Sequence, residues 1–257
     1  MVQFLLLLLG MISPLYATAA NRPTNIFILA GQSNMAGRGG VRHHVWDGII
    51  PPECKQDPFI FRLNAKLTWE PAKEPLHKDI DLNETTGIGP GMAFANTVLN
   101  NDSGFGTIGL VPCAVGGTSI REWEHGTLLY NQLVNRTNVA RKGGGRIRAI
   151  LWYQGESDSI TRQDATSYEK NLKRFFTNLR VDLRLPVVPI IQVALPSISY
   201  RYDDIVRQTQ GGMKLQNLLY VDANGLELQD DQMHLTTQSQ VRLGKRLADA
   251  FLQFQSS

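Results

Sequence analysis

Cysteine is scarce: Cys54 and Cys113 are the only two in 257 residues. That excludes a small disulfide-stapled scaffold and a Cys-rich zinc module. Charge is scarce as well, at 19% of residues with a net charge of +3, and Lys and Arg form no dense cluster. Nucleic acid is therefore not an expected partner, and neither a charged disordered tail nor a coiled coil fits. The sequence holds no internal repeat and no low-complexity tract. Neither G-x-x-x-x-G-K-[ST] nor a G-x-G-x-x-G following a strand occurs, so nucleotide binding lacks its usual signature. Beyond the N-terminus no stretch is apolar enough to span a bilayer. What remains is ordinary globular composition: 42% hydrophobic residues, 23 Gly and 12 Pro. A chain of this length buries roughly 70–75% of its unfolded surface. One large α/β domain suits it.

Residues 1–20 contain no Asp, Glu, Lys or Arg. An apolar run from Phe4 to Leu9, continued by Met11 and Ile12, gives way to Ala17-Thr18-Ala19-Ala20. This pattern predicts a secretory signal peptide cleaved near Ala19 or Ala20, with 21–257 as one mature domain and no membrane contact after cleavage. An uncleaved anchor is the alternative, for which the apolar core is short. Secretion gives meaning to three glycosylation sequons, at Asn83, Asn101 and Asn135. It also permits a bridge between Cys54 and Cys113, although two separate buried thiols fit the sequence equally.

Apolar runs rich in branched residues predict strands at 25–30, 107–115, 147–154, 187–194 and 218–222. Their near-continuous hydrophobicity suits strands buried on both faces, as in a parallel sheet. Between them, Tyr168, Leu172, Phe175, Phe176 and Leu179 share one helical face, and Leu243, Leu247, Ala250 and Phe254 share another. Thr237-x-x-Gln240 predicts a capping box for the last helix. Further helices are expected near 91–100, 128–141 and 204–216. The alternation predicts a three-layer α/β/α sandwich whose strands end on one ligand-binding edge. Residues 38–87, with Pro51, Pro52, Pro58, Pro71 and Pro75, break the alternation. So long a loop either walls a substrate cleft or is an ordered surface excursion.

Ser33 falls just past the first strand, in Gly31-Gln32-Ser33-Asn34-Met35-Ala36-Gly37. The position suits a nucleophile or a helix N-cap. Met35 stands where G-x-S-x-G needs its second glycine, which disfavours an ordinary α/β-hydrolase. Asp230-Asp231-Gln232-Met233-His234 offers an imidazole base with carboxylates three and four residues before it. Spacing does not choose between Asp230 and Asp231. Gly116-Gly117-Thr118-Ser119 offers approachable backbone N–H groups. Gln154 offers an amide to a developing oxyanion, or is a buried glutamine satisfied by backbone. Together these residues meet the requirements of acyl transfer. His77-x-Asp79-x-Asp81 has a metal-ligand spacing but no supporting ligands nearby. His43 and His44 are expected on the surface of the long loop.

Four blocks in this order resemble the SGNH hydrolase superfamily: Gly31-Gln32-Ser33-Asn34-Met35-Ala36-Gly37, Gly116-Gly117-Thr118-Ser119, Trp152-Tyr153-Gln154-Gly155-Glu156-Ser157 and Asp231-Gln232-Met233-His234-Leu235-Thr236. More narrowly, the chain is similar to carbohydrate esterase family six, which shares its domain with sialate O-acetylesterases, and its layout to plant members. The likeness covers about residues 24–255. It implies a flavodoxin-like fold and hydrolysis of O-acetyl groups on sugars, with acetylated xylan or pectin as candidate substrates. By motif position it implies Ser33 as nucleophile, His234 as base and Asp231 as its partner, with Ser33, Gly117 and Gln154 forming the oxyanion hole. No metal or cofactor is implied. Glu156, Arg121 and Trp123 are candidate substrate contacts, with structural packing the alternative. Two other readings stand beside this one: a carbohydrate-binding protein without catalysis, and a lipid esterase or thioesterase.

Overall fold

The computed structural model describes residues 22–197 and 202–257. The expected signal peptide, residues 1–20, lies outside them. The strands are β1 (Asn25–Gly31), β2 (Val41–Arg42), β3 (Val45–Trp46), β4 (Ile60–Leu63), β5 (Trp69–Pro71), β6 (Ile108–Pro112), β7 (Arg146–Tyr153), β8 (Ile190–Ala194) and β9 (Leu218–Asp222). The helices are α1 (Ser33–Ala36), α2 (Gly91–Asn101), α3 (Leu128–Arg141), α4 (Arg162–Leu183), α5 (Asp203–Gly212) and α6 (Thr237–Ser256).

Seven strands form a sheet in the order β5-β4-β6-β1-β7-β8-β9. All its pairings are parallel except β5 against β4. All seven residues of β1 are buried, as a strand covered on both faces must be. Phe27 on β1 pairs in register with Ala149 and meets Phe94 of α2 and Phe251 of α6 edge to face. Trp152 lies three positions beyond Ala149 and so points to the opposite face. There it meets Phe175 and Phe176 of α4. The sandwich follows: α2 packs with α6 on one face, and α3, α4 and α5 pack together on the other. Each fully buried large apolar side chain contributes about 1.5–3 kcal/mol.

The predicted face of α4 is buried throughout: Tyr168, Leu172, Phe175, Phe176 and Leu179. Thr161 caps this helix by accepting from the Asp164 N–H. The cap of α6 is one residue earlier than the spacing suggested. Thr236, not Thr237, accepts from the Ser239 N–H. Gln240 takes no part in the cap and donates to the Asn34 carbonyl instead. The run 187–194 joins the ladder only at Ile190, past Pro189, which has no N–H to give.

The stretch 38–87 is richer than a loop. It contains the hairpin β2–β3, β4 and β5. The charge of Arg62 inside the otherwise apolar Ile60–Leu63 conceals β4 in the sequence. Its guanidinium is buried and answered by Glu70, Asp79 and the Leu76 carbonyl. Arg136 of α3 likewise donates to the carbonyls of Leu63, Asn64 and Pro112, tying the ends of β4 and β6 together. Cys54 and Cys113 are free, buried thiols with no bridge between them. Burial pushes both thiols up, which keeps them protonated.

Candidate active site

Gly31 ends β1 at φ +126°, where a Cβ would fall 2.0 Å from the Tyr153 carbonyl oxygen. Only glycine lets β1 stay paired with β7 to its last residue and then turn sharply. The turn sets Ser33 as the first residue of α1, at the C-terminal edge of the sheet beside the switch between β6 and β7.

The segment before α6 brings His234 to that edge. Its Nε2 lies 2.9 Å from Ser33 Oγ. Its Nδ1 lies 2.7 Å from Asp231 Oδ2. The other oxygen of Asp231 accepts from the N–H groups of Met233 and His234. Burial opposes the charge on Asp231. The two N–H groups and the imidazole outweigh it and hold the carboxyl below its ordinary value. Asp230 is exposed, and Asp231 is the carboxylate that reaches the ring. A carboxylate on Nδ1 leaves Nε2 unprotonated towards the serine, the tautomer a general base needs.

Asn34 holds this segment in place. Its Oδ1 accepts from the Leu235 N–H, and its Nδ2 donates to the Met233 carbonyl, so one side chain grips the backbone on both sides of His234. The same Nδ2 donates to Glu156 Oε1 at 2.8 Å. Burial pushes the Glu156 carboxyl up to about 7 against the pull of Asn34, and neighbouring Asp158 adds to the rise. Glu156 thus steadies the clamp and also lines the cleft.

Gly117, at φ +72°, and Gly116 line the cleft opposite Ser33. The Gly116 N–H is held by Asp81 Oδ2 at 3.1 Å, and Asp81 is paired with the buried Arg38 at 2.6 Å. The N–H groups of Gly117 and Ser33 take no acceptor from the described residues. Both are available to an oxyanion.

The cleft has a volume of about 570 Å³, the size of a small-molecule site. The stretch 38–87 supplies one wall, through Arg38, Val41, His43, His44 and Glu84. His43 and His44 are exposed as expected, but they also form the cleft's mouth, both with positive φ at the tip of the β2–β3 hairpin. His44 Nδ1 lies 3.2 Å from Glu84. Of the three sequon asparagines, all exposed, Asn83 sits on this rim.

Several expected residues are placed otherwise. Gln154 is wholly buried, and its Nε2 is directed at the Thr118 carbonyl and Asp158, away from the cleft. Trp123 is also wholly buried. It packs against Trp152 and Phe175 and donates to Thr118 Oγ1, so its bulk serves the core. Arg121 is half exposed and paired with Asp164, outside the cleft lining. His77, Asp79 and Asp81 do not converge. Asp79 pairs with Arg62, Asp81 with Arg38, and the buried His77 ring is bonded to neither carboxylate. Among the described residues no group of three or more His, Cys, Asp or Glu could hold a metal ion. Asn34, Arg38 and Asp81 escape sequence reading because their roles depend on partners 35 to 201 positions away.

A parallel α/β/α sandwich with a Ser–His–Asp chain on the C-terminal edge of its sheet is the arrangement of SGNH-type ester hydrolases. The chain belongs to the carbohydrate esterase, sialic acid-specific acetylesterase family, whose model matches residues 23–253. It is therefore a carboxylic ester hydrolase of the carbohydrate-esterase kind. It is 56% identical over 237 residues to a probable carbohydrate esterase of Arabidopsis thaliana, covering 90% of this chain and 91% of the relative. An X-ray structure of an Arabidopsis thaliana protein matches with a TM-score of 0.87 at 56% identity, over 90% of this chain and 98% of that one. NanS matches with a TM-score of 0.74 at 17% identity, over 91% of this chain and 99% of its own. A carbohydrate acetylesterase from Xanthomonas citri gives 0.61 at 18% identity, over 88% and 55%. The last two likenesses are of fold.

Proposed function

We propose that the protein is a secreted serine esterase that removes O-acetyl groups from carbohydrate, with acetylated xylan as the first polymer to test. The observation that carries the reading is the unbroken chain from Asp231 through His234 to Ser33 on the wall of the cleft. Ser33 Oγ attacks the acetyl carbonyl while His234 Nε2 takes its proton. The developing oxyanion is met by the N–H groups of Ser33 and Gly117. The C–O bond to the sugar breaks, and His234 returns the proton to the departing sugar oxygen. Water then attacks the acetyl-enzyme, again deprotonated by His234, and acetate leaves as Ser33 regains its proton. Polar groups from Gln32, Arg38, His43, Glu84 and Glu156 on the cleft wall support a hydroxylated substrate. The apolar leader in residues 1–20 supports secretion.

The test is acetate release from acetylated xylan by the purified mature protein beside Ser33→Ala. Release that disappears in the variant is expected. Equal release by both proteins overturns the assignment of Ser33, and release by neither from xylan or p-nitrophenyl acetate overturns the esterase reading.

A further inference from the structure

The β2–β3 hairpin turns through His43 and His44 alone, with Val41 opposite Trp46 and Arg42 opposite Val45. A two-residue turn with positive φ at both positions, here +48° and +60°, is the type that asparagine followed by glycine suits best. Histidine holds a left-handed backbone only at a cost, and such strain gathers at ligand sites. Packing does not supply the reason for it here, because both residues are exposed. The turn is nonetheless fastened. Thr85 Oγ1 donates to the His44 carbonyl at 2.6 Å, and Glu84 Oε2 lies 3.2 Å from His44 Nδ1. In the neutral ring a carboxylate on Nδ1 draws the hydrogen there, so Nε2 is left as an acceptor. The His43 ring takes no partner among the described residues and both its nitrogens are free.

Each imidazole stands where the cleft opens into a further hollow. His44 lines both the cleft and a hollow of about 520 Å³ that includes Trp46, Lys78 and Leu82. His43 lines both the cleft and a hollow of about 590 Å³ that includes Arg42, Asp47 and Asp230. The two hollows have no lining residue in common, so the cleft has two separate exits with one histidine at each. A pocket for a single sugar needs one mouth, whereas two exits let a chain lie across the nucleophile. We propose that His43 and His44 are specificity-determining contacts for the sugars on either side of the acetylated one, so that the enzyme acts within a polysaccharide chain rather than on a free acetylated monosaccharide. This rests on the serine-esterase reading above and deepens it. Each ring offers a flat apolar body to a pyranose and a nitrogen to its hydroxyls. The fastened turn holds the rings at the mouth before the chain arrives, which lowers the ordering cost of binding.

The experiment compares the unaltered enzyme with the double variants His43→Asn/His44→Gly and His43→Ala/His44→Ala. The substrates are acetylated xylose, acetylated xylotetraose and p-nitrophenyl acetate, with Tm measured for each protein. In the unaltered enzyme KM is expected to be about tenfold lower for the tetraose than for the monosaccharide, the size of one or two flanking hydrogen bonds. Flanking contacts bind ground state and transition state alike, so kcat for the two sugars is expected to agree within about threefold. Both double variants are expected to erase the tetraose advantage, with a smaller change on p-nitrophenyl acetate, which has no flanking sugar. His43→Asn/His44→Gly is expected to do so with Tm held or raised by a few degrees, because those residues suit the turn. The inference is overturned if the tetraose has no advantage in the unaltered enzyme, or if the advantage survives His43→Asn/His44→Gly. It is also overturned if that variant loses Tm and loses activity equally on all three substrates, since the turn then serves the fold alone. Any of these outcomes with Ser33-dependent turnover of p-nitrophenyl acetate leaves the esterase reading standing, whereas absence of Ser33-dependent turnover overturns both.

Discussion

Replacing Asn34 with alanine should cost both stability and turnover, and the size of each loss follows from its contacts. The side chain is wholly buried. It satisfies the Leu235 N–H, the Met233 carbonyl and Glu156 Oε1. In Asn34→Ala these three groups lose their partner in a site that water enters poorly. A buried group left unsatisfied costs about 1–3 kcal/mol. Partial relaxation brings the sum to roughly 3–6 kcal/mol. For a chain of this size each kcal/mol moves Tm by about 2–4 °C, so a fall on the order of 10 °C is expected. The kinetic effect has a separate cause. Asn34 grips the backbone on both sides of His234, and a misplacement of about 1 Å can cost on the order of 100-fold in rate. Calorimetry and kcat on p-nitrophenyl acetate measure the two losses. Asn34→Asp separates them further. It keeps an acceptor for Leu235 but sets a carboxylate against Glu156, so it should destabilise increasingly as pH rises through about 7, where Glu156 ionises. A Tm within 2 °C of wild type together with kcat within threefold would refute the clamp.

Three further predictions concern charge and protonation. Asp231→Asn keeps an acceptor for Met233 and His234 but presents an N–H to Nδ1, which forces the wrong imidazole tautomer; kcat should fall by about 10³–10⁴ with Tm nearly unchanged, as kinetics and calorimetry will show. Burial pushes Glu74 up to about 8 from an ordinary 4.5, so its contribution to stability is full below about 4.5 and is lost as pH rises through 8. The slope approaches about 1.4 kcal/mol per pH unit inside that window, and Glu74→Gln should flatten it in a Tm-against-pH series. Burial lowers His77 to about 3, so its contribution is full above about 6.5 and is lost as pH falls towards 3. Stability should therefore decline on both sides of a maximum in mildly acidic solution; a Tm that climbs steadily from pH 5 to 9 would contradict the Glu74 assignment, and a Tm that does not fall between pH 6.5 and 3 would contradict that of His77.

How much of this was legible beforehand depended on how local each signal is. β1 and β7 announce themselves because a strand buried on both faces is apolar at nearly every position. β4 does not, because Arg62 interrupts it, and the carboxylates that make its burial tolerable lie 8 and 17 residues further on. The hairpin strands β2 and β3 have two residues each, too short for any periodicity. The triad members stand in recognisable blocks, yet three-residue and four-residue spacings cannot tell Asp231 from Asp230. Only the turn that directs both N–H groups at Asp231 does so. Trp123 misleads because a tryptophan after a glycine turn resembles a sugar platform, and only the aromatic cluster around Trp152 shows where its area is spent. Gln154 misleads for a related reason. Residue type supplies a donor, but only the network decides which amide still has one to give.

The central claim is that Ser33 is the nucleophile of this esterase. Peptide mapping by mass spectrometry after treatment with a fluorophosphonate tests it most directly, because the reagent stays on the oxygen that attacks. The account predicts one phosphonyl group per chain, on Ser33, formed slowly in His234→Ala and not formed in Ser33→Ala. A modified peptide elsewhere, or equal labelling of the Ser33→Ala protein, would contradict it.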